Sequence, residues 1–278
     1  MENNYPVNET VKMMQSLLFE ILVDIDAVCR KNNICYFLSG GTLLGAIRHK
    51  GFIPWDDDGD VMMPREDYRR FFNIFEQEFG DKYGIGELSI DDEWNTPYGI
   101  IWNTTTKLRS LNLNSKEVGV GIDIFPIDGV SDSPAMRKIF FQRIRILNGF
   151  RNACLRNSFL DGEKFVFLKR FIHLLVAPFG ARFFAKRMNA LAEKISIGKT
   201  KHVASSVAAH YGEKETMDIK SIMGAIEVDF ETTRFMVPIG YEQYLTNIYG
   251  DYMTIPKDIA QKGVTHLDHW IVELGEKE

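Results

Sequence analysis

Residues 37–69 read FLSGGTLLGAIRHKGFIPWDDDGDVMMPREDYR, from Phe37 to Arg69. The centre of this stretch is Trp55-Asp56-Asp57-Asp58-Gly59-Asp60-Val61. Alternate residues of an extended chain point to the same side, so Asp56, Asp58 and Asp60 can share a face. Like charges that close repel in a low-dielectric site and are tolerated when a cation neutralises them. Carboxylates are hard oxygen ligands suited to Mg²⁺, Mn²⁺ or Ca²⁺. An EF-hand is excluded, because counting from Asp56 places Val61 where that loop needs glycine. A solvated acidic turn is the plain alternative.

About fifteen residues earlier, an apolar run from Ile34 to Leu38 predicts a buried strand that stops at Ser39-Gly40-Gly41. Thr42 is the expected N-cap of a helix through Leu43, Leu44, Ile47 and Arg48. Adjacent glycines let backbone approach a ligand closely, and a helix N-terminus favours phosphate. Ser39, Gly40, Gly41 and Thr42 are therefore candidate phosphate contacts, with a simple tight turn as the alternative.

Further along, Gly121-Ile122-Asp123-Ile124-Phe125-Pro126-Ile127-Asp128 belongs to a strand expected over 118–127. Asp123 sits among apolar residues, and a lone buried carboxylate is costly unless paired or metal-bound. Its natural partner is a metal held by Asp58 and Asp60. Asp128 reads as a turn residue beyond the strand. Lys107 and Arg109 alternate on a strand expected within 98–109 and could face phosphates, as could Arg48.

The rest of the chain fits this core. A helix is expected from Glu9 to Lys31, others over Asp67–Phe79 and Tyr241–Tyr249, and a second strand at Asp60–Met63. Segment 134–200 reads as helical, aromatic and basic. Between Pro134 and Lys201 stand 15 Lys/Arg against 3 Asp/Glu, although the whole chain carries −5. Three regions are expected: a catalytic core at 1–133, the basic aromatic helices at 134–200, and a helical C-terminal part at 201–278. This order predicts an α+β fold with a mixed sheet flanked by helices. The aromatics and cations of 165–184 support two readings: a face for a membrane or an anionic lipid-linked glycan, or a packed core with solvated charges. Nucleic acid is a poor fit to an acidic chain without a known binding module. Three cysteines without a CxxC pair, a polar N-terminus and no long apolar run point to a soluble cytoplasmic protein, in contact at most with the inner face of a membrane.

The 37–69 stretch, together with GIDIFPIDG at 121–129 and GYEQYLTNIYGDYM at 240–253, closely resembles the LicD family. That resemblance implies a nucleotidyltransferase-type fold in which Gly40-Gly41 is the turn, Asp58 and Asp60 the metal-binding pair and Asp123 the third carboxylate. Asp56 joins by similarity to the fukutin-related proteins. It further implies Mg²⁺ (or Mn²⁺), a CDP-linked donor and transfer of phosphocholine or a related phospho-group to a teichoic acid, lipopolysaccharide or capsule. Two rivals remain from the residues: a nucleotidyltransferase acting on a small alcohol or sugar, and a non-catalytic module that binds anionic glycans.

Overall fold

The structure is a computed structural model that describes residues 9–110, 115–156, 165–208, 210–255 and 270–274. Helix α1 (Glu9–Asn32) forms as its periodicity predicts, burying Val11, Met14, Leu18, Ile21, Leu22, Ile25 and Val28. Strand β1 (Phe37–Leu38) runs directly into α2 (Gly40–His49). Strand β2 (Gly59–Pro64) follows, and α3 (Arg65–Phe79) starts as soon as Pro64 ends it. Phe71, Phe72 and Phe75 of α3 are fully buried.

The stretch expected as one strand over 98–109 is two. After β3 (Tyr83–Gly86), β4 (Gly99–Asn103) joins the central sheet, whereas β5 (Thr106–Ser110) leaves it. Asn103 causes the break: its side-chain oxygen accepts from the Thr105 N–H at 2.8 Å and from the Thr105 hydroxyl at 2.6 Å. Strand β6 (Gly121–Val130) is the centre of the fold. It is parallel to β2 on one side and antiparallel to β4 on the other. The sheet runs β1-β2-β6-β4-β3, with α1 and α3 packed on it.

Segment 134–200 is largely helical where described, with α4 (Pro134–Leu155), α5 (Val166–Val176) and α6 (Ala181–Ala192), but 193–200 forms turns instead of helix. The part of the helical expectation that falls on 157–164 lies outside the described residues. The C-terminal part is less helical than its sequence suggested. It holds β7 (His202–Ala204), β8 (Thr216–Asp218), the hairpin β9 (Ala225–Phe230) and β10 (Thr233–Pro238), α7 (Tyr241–Tyr249), and β11 (Trp270–Leu274), which pairs with β5. The alternation in AIEVDF and the β-branched residues of TRFMVP fit strand better than helix. The result is a mixed α+β fold with one continuous apolar core around β2, β6, α1 and α3.

β6 extends three residues past the expected end, because β7 offers its far half a partner and aligns Asp128 with Ala204. Asp128 is therefore not a turn residue. It is 2% exposed and takes a two-pronged contact from Arg65, Nε at 2.9 Å and Nη2 at 2.5 Å. Both groups are buried, so removing Asp128 leaves the Arg65 charge only the partly exposed Glu193, 3.5 Å away. Asp128→Ala is expected to lower the unfolding free energy by about 3–5 kcal/mol in urea titrations. A loss below about 1 kcal/mol, the range of exposed pairs, would show that the pair is effectively hydrated.

Candidate active site

The register of two parallel strands builds the site. β2 and β6 align Asp60 directly with Asp123. In-register neighbours on parallel strands project to the same face, so the two carboxyls come together. Ser39 N–H donates to the Asp60 carbonyl at 3.0 Å, which ties the end of β1 to the start of β2. Thr42 is inside α2 and not its N-cap; its hydroxyl accepts from the Asp60 N–H at 2.8 Å. Ser39 takes the N-cap position without a side-chain capping bond, because its hydroxyl faces the Tyr244 hydroxyl at 3.0 Å.

The glycine pair is required here. Gly40 has φ +50°, a left-handed conformation that side chains disfavour, and a Cβ there would collide with Asp60 Oδ2. A Cβ on Gly41 would lie 2.7 Å from Asp56 Oδ2. The first turn of α2 is thus packed directly against two carboxyls, and its positive dipole end faces them. The loop that carries Asp56 is pinned from α1, where the Gln15 amide donates to the carbonyls of Ile53 at 3.0 Å and Asp56 at 2.8 Å.

Asp56, Asp58, Asp60 and Asp123 line one cleft of about 440 Å³ together with Ser39, Gly40, Gly41 and Arg48. Burial, then the neighbouring Asp58, raises the Asp56 and Asp60 carboxyls well above the ordinary carboxylate range. Asp123 is pushed up to about 8, first by burial and then by Asp58, against the lowering effect of the Tyr98 hydroxyl. His49 is pushed down to about 4 by burial and Arg48, so it is neutral at physiological pH.

The structure adds residues that sequence reading missed. Glu215, 4% exposed, also lines the cleft and is pushed up to about 8 by burial. It accepts from the Tyr244 hydroxyl at 3.3 Å. Its sequence context, Gly-Glu-Lys-Glu-Thr, looks like a solvated loop and gives no signal. Trp55, Tyr98, Tyr211, Tyr249 and Tyr252 supply aromatic walls; their ring character was visible, their convergence was not. Three candidate phosphate contacts are displaced from the cleft. Thr42 is 1% exposed beneath it. Lys107 and Arg109 ride on β5, which pairs with β11 away from the central sheet, and both are exposed. Lys107 lies 3.7 Å from Glu117 instead.

The donor set fits a hard divalent cation. It is all oxygen, its carboxyls crowd together with Asp56 in contact with Asp58, and its charge is balanced only in part by Arg48. The buried Ser205 hydroxyl, also on the cleft wall, has no hydrogen-bond partner among the described residues. The carboxyls are not a finished coordination shell: among the described residues no three acid, His or Cys groups are preset around one point. Asp56, Asp58, Asp60 and Asp123 are the residues that would hold such an ion.

Known proteins resemble this chain in sequence. A family model described as LicD/FKTN/FKRP, nucleotidyltransferase domain, matches residues 33–148. This range contains the glycine pair, all four aspartates and β6. The chain is 31% identical over 261 residues to the lipopolysaccharide cholinephosphotransferase LicD of Haemophilus influenzae, covering 91% of this chain and 95% of that protein. A shorter match, 45% identical over 60 residues, reaches an uncharacterized protein of Rickettsia typhi and covers 19% of it. With near full-length similarity to one relative and the family's domain holding all four cleft aspartates, the chain belongs to the LicD family.

Proposed function

We propose that this chain is a phosphotransferase that moves phosphocholine, or a closely related phospho-group, from a CDP-linked donor to a hydroxyl of a cell-surface glycan. Two carboxyls in register on adjacent strands, beside a glycine pair at a helix N-terminus, carry this reading. The name of the Haemophilus relative supplies the phosphocholine and favours lipopolysaccharide as the acceptor type; teichoic acid and capsule share the required hydroxyl chemistry.

Gly40 and Gly41 bring backbone N–H groups to the donor phosphates, and Arg48 offsets their charge. The Arg48 guanidinium is held in place by the Tyr252 carbonyl at 3.0 Å. The Tyr211 and Tyr249 rings, 5.5 Å apart at 74°, form adjoining walls suited to a base or a quaternary ammonium. Mg²⁺ or Mn²⁺ bound by Asp56, Asp58, Asp60 and Asp123 would neutralise the diphosphate. The acceptor hydroxyl forms the new P–O bond at the phosphorus distal to the nucleoside, its proton passes to Asp123, and the bond to CMP breaks. Attack at the proximal phosphorus would instead place CMP on the acceptor.

Product analysis with CDP-choline labelled in the choline separates these outcomes. Labelled glycan with free CMP is the expected result, and Asp60→Asn is expected to lower kcat by roughly 10²–10³-fold. Free phosphocholine with cytidylylated acceptor would make the chain a nucleotidyltransferase. Donor binding without any turnover would make it a binding module.

The basic helices bear on where the acceptor is met. No described helix is long and apolar enough to cross a membrane. The α5 region nonetheless exposes Phe167 by 87%, Phe165 by 75% and Leu174 by 71%, with Leu168, Phe171, Leu175 and Phe179 also exposed. Residues 165–192 carry five Lys/Arg and no acid. An apolar face ringed by cations matches an anionic phospholipid surface, here the inner leaflet, where lipid-linked glycans are built. Flotation with phosphatidylglycerol vesicles at low salt is expected to carry the protein. Phe167→Ser with Phe171→Ser is expected to weaken binding at least about tenfold. Failure of the unaltered protein to float would remove the membrane from this account.

A further inference from the structure

A second cavity, of about 390 Å³, adjoins the carboxylate cleft. The two share Asp58, Tyr98 and Asp123 and no other lining residue. Apart from that common wall they are built from different elements. The cleft is walled by α2, α7 and the 205–215 segment. The second chamber is walled by parts of 94–100 and 115–121, Met14 of α1, Leu108 of β5, the end of α4 and, next to Asp58, the buried Asp57.

The chemistry of the second chamber centres on Arg151 of α4. Its guanidinium is largely buried, and burial lowers its pKa. Nε donates to the Asn95 carbonyl at 2.6 Å, Nη2 to the Thr96 hydroxyl at 3.0 Å and Nη1 to the Asn152 side-chain oxygen at 2.9 Å. A longer contact at 3.4 Å reaches Asn148. Every acceptor is neutral, and among the described residues no carboxylate pairs with Arg151. A buried cation without an opposing charge is costly and calls for an anion. Lys116 also lines the chamber but is already neutralised, 2.6 Å from Asp91 and 3.6 Å from Glu93. Trp94 closes one side. It is fixed by its indole N–H on the Tyr98 carbonyl at 2.9 Å and stacks with Trp102, centroids 6.1 Å apart and planes 10° apart. A rigid aromatic beside Asn95, Thr96 and Ser115 offers the apolar and polar edges that a sugar ring presents in return.

We propose that this second chamber is the acceptor subsite, and that it takes a sugar bearing an anionic group, phosphate or carboxylate. The anion rests on Arg151 and the sugar's free hydroxyl reaches the Asp58–Asp123 wall. This assignment rests on the transferase reading above and adds the charge class of the acceptor. Donor and acceptor then approach the shared carboxyls from separate chambers, as an in-line displacement needs, with nucleophile and leaving group on opposite sides of the phosphorus.

Calorimetric titration of the full chain tests this with glucose 6-phosphate, glucuronate and neutral glucose, each with and without saturating CDP-choline and Mg²⁺. At least one anionic sugar is expected to bind more tightly than glucose and to bind equally well with donor present. Which of the two anions binds identifies the group that Arg151 takes. Arg151→Gln is expected to weaken the anionic sugar by about 10- to 100-fold and leave CDP-choline affinity unchanged. Arg151→Lys, which keeps the charge, is expected to retain part of the binding. Equal affinity for anionic and neutral sugars, or displacement of the sugar by CDP-choline, would overturn the assignment. So would loss of CDP-choline binding in Arg151→Gln, which would place Arg151 in the donor site. If CDP-choline binds and no anionic sugar does, the acceptor assignment fails and the donor reading stands. If an anionic sugar binds and CDP-choline does not, the chamber stands and the donor reading fails.

Discussion

The parallel pairing of β2 with β6 sets Asp60 beside Asp123. This one register governs the rest of the site. A slip by one residue would turn every side chain of β2 to the other face, setting the Asp60 carboxyl on the side where Val61 and Met63 are fully buried and parting it from Asp123. The core therefore fixes the register, and the register brings two acids together whatever the electrostatic cost. The surroundings accommodate that cost locally. Gly40 and Gly41 leave room for the carboxyls of Asp60 and Asp56, α2 presents its positive end to them, and Gln15 holds the acidic loop in place. The remaining imbalance shows in the raised carboxyls of Asp56, Asp60, Asp123 and Glu215.

β6 carries two acids with opposite fates. At its far end Asp128 is fully buried, yet Arg65 meets it with a bidentate contact, so it behaves as structure. Five residues earlier, Asp123 opens onto the cleft and its closest charged neighbour is another acid. Compensation at one end and repulsion at the other separate a stabilising carboxylate from a chemically poised one. Arg151 is the reverse case, a largely buried cation among neutral acceptors, and it lines the second chamber with the acids. Opposite imbalances within one chamber suit a ligand that carries both a hydroxyl and an anion.

Much of this was legible in the sequence, because the decisive features are local. The alternation through Asp56, Asp58 and Asp60, the glycine pair after an apolar run and the polar break in GIDIF each report their own geometry. Helices α1, α3 and α7 followed from periodicity. The failures were non-local. Lys107 and Arg109 alternate as a cleft-facing pair would, but Asn103 turns the chain and β5 pairs elsewhere. Thr42 looks like an N-cap, yet the helix starts at Gly40, φ +50°, and the N-cap is Ser39, three residues sooner. Asp128 reads as a turn until β7 arrives from more than seventy residues away. Glu215 sits in a stretch with the composition of a solvated loop, and only the position of Tyr244 reveals its burial. Arg151 is one of 15 cations in the basic segment, and nothing in its neighbourhood marks it as largely buried.

The central claim is that the crowded aspartates require a divalent cation. Thermal unfolding of the chelator-treated protein during Mg²⁺ or Mn²⁺ titration tests it most directly. The account predicts a rising Tm. A cation at 100 times its Kd contributes about 2.7 kcal/mol, an upward shift of roughly 5–10 °C for a chain of this size. It also predicts that Asp60→Asn melts higher than the unaltered protein without cation, because one repelling charge is gone, and no longer responds to Mg²⁺. A Tm indifferent to both cations, or an equal rise in Asp60→Asn, would contradict the account.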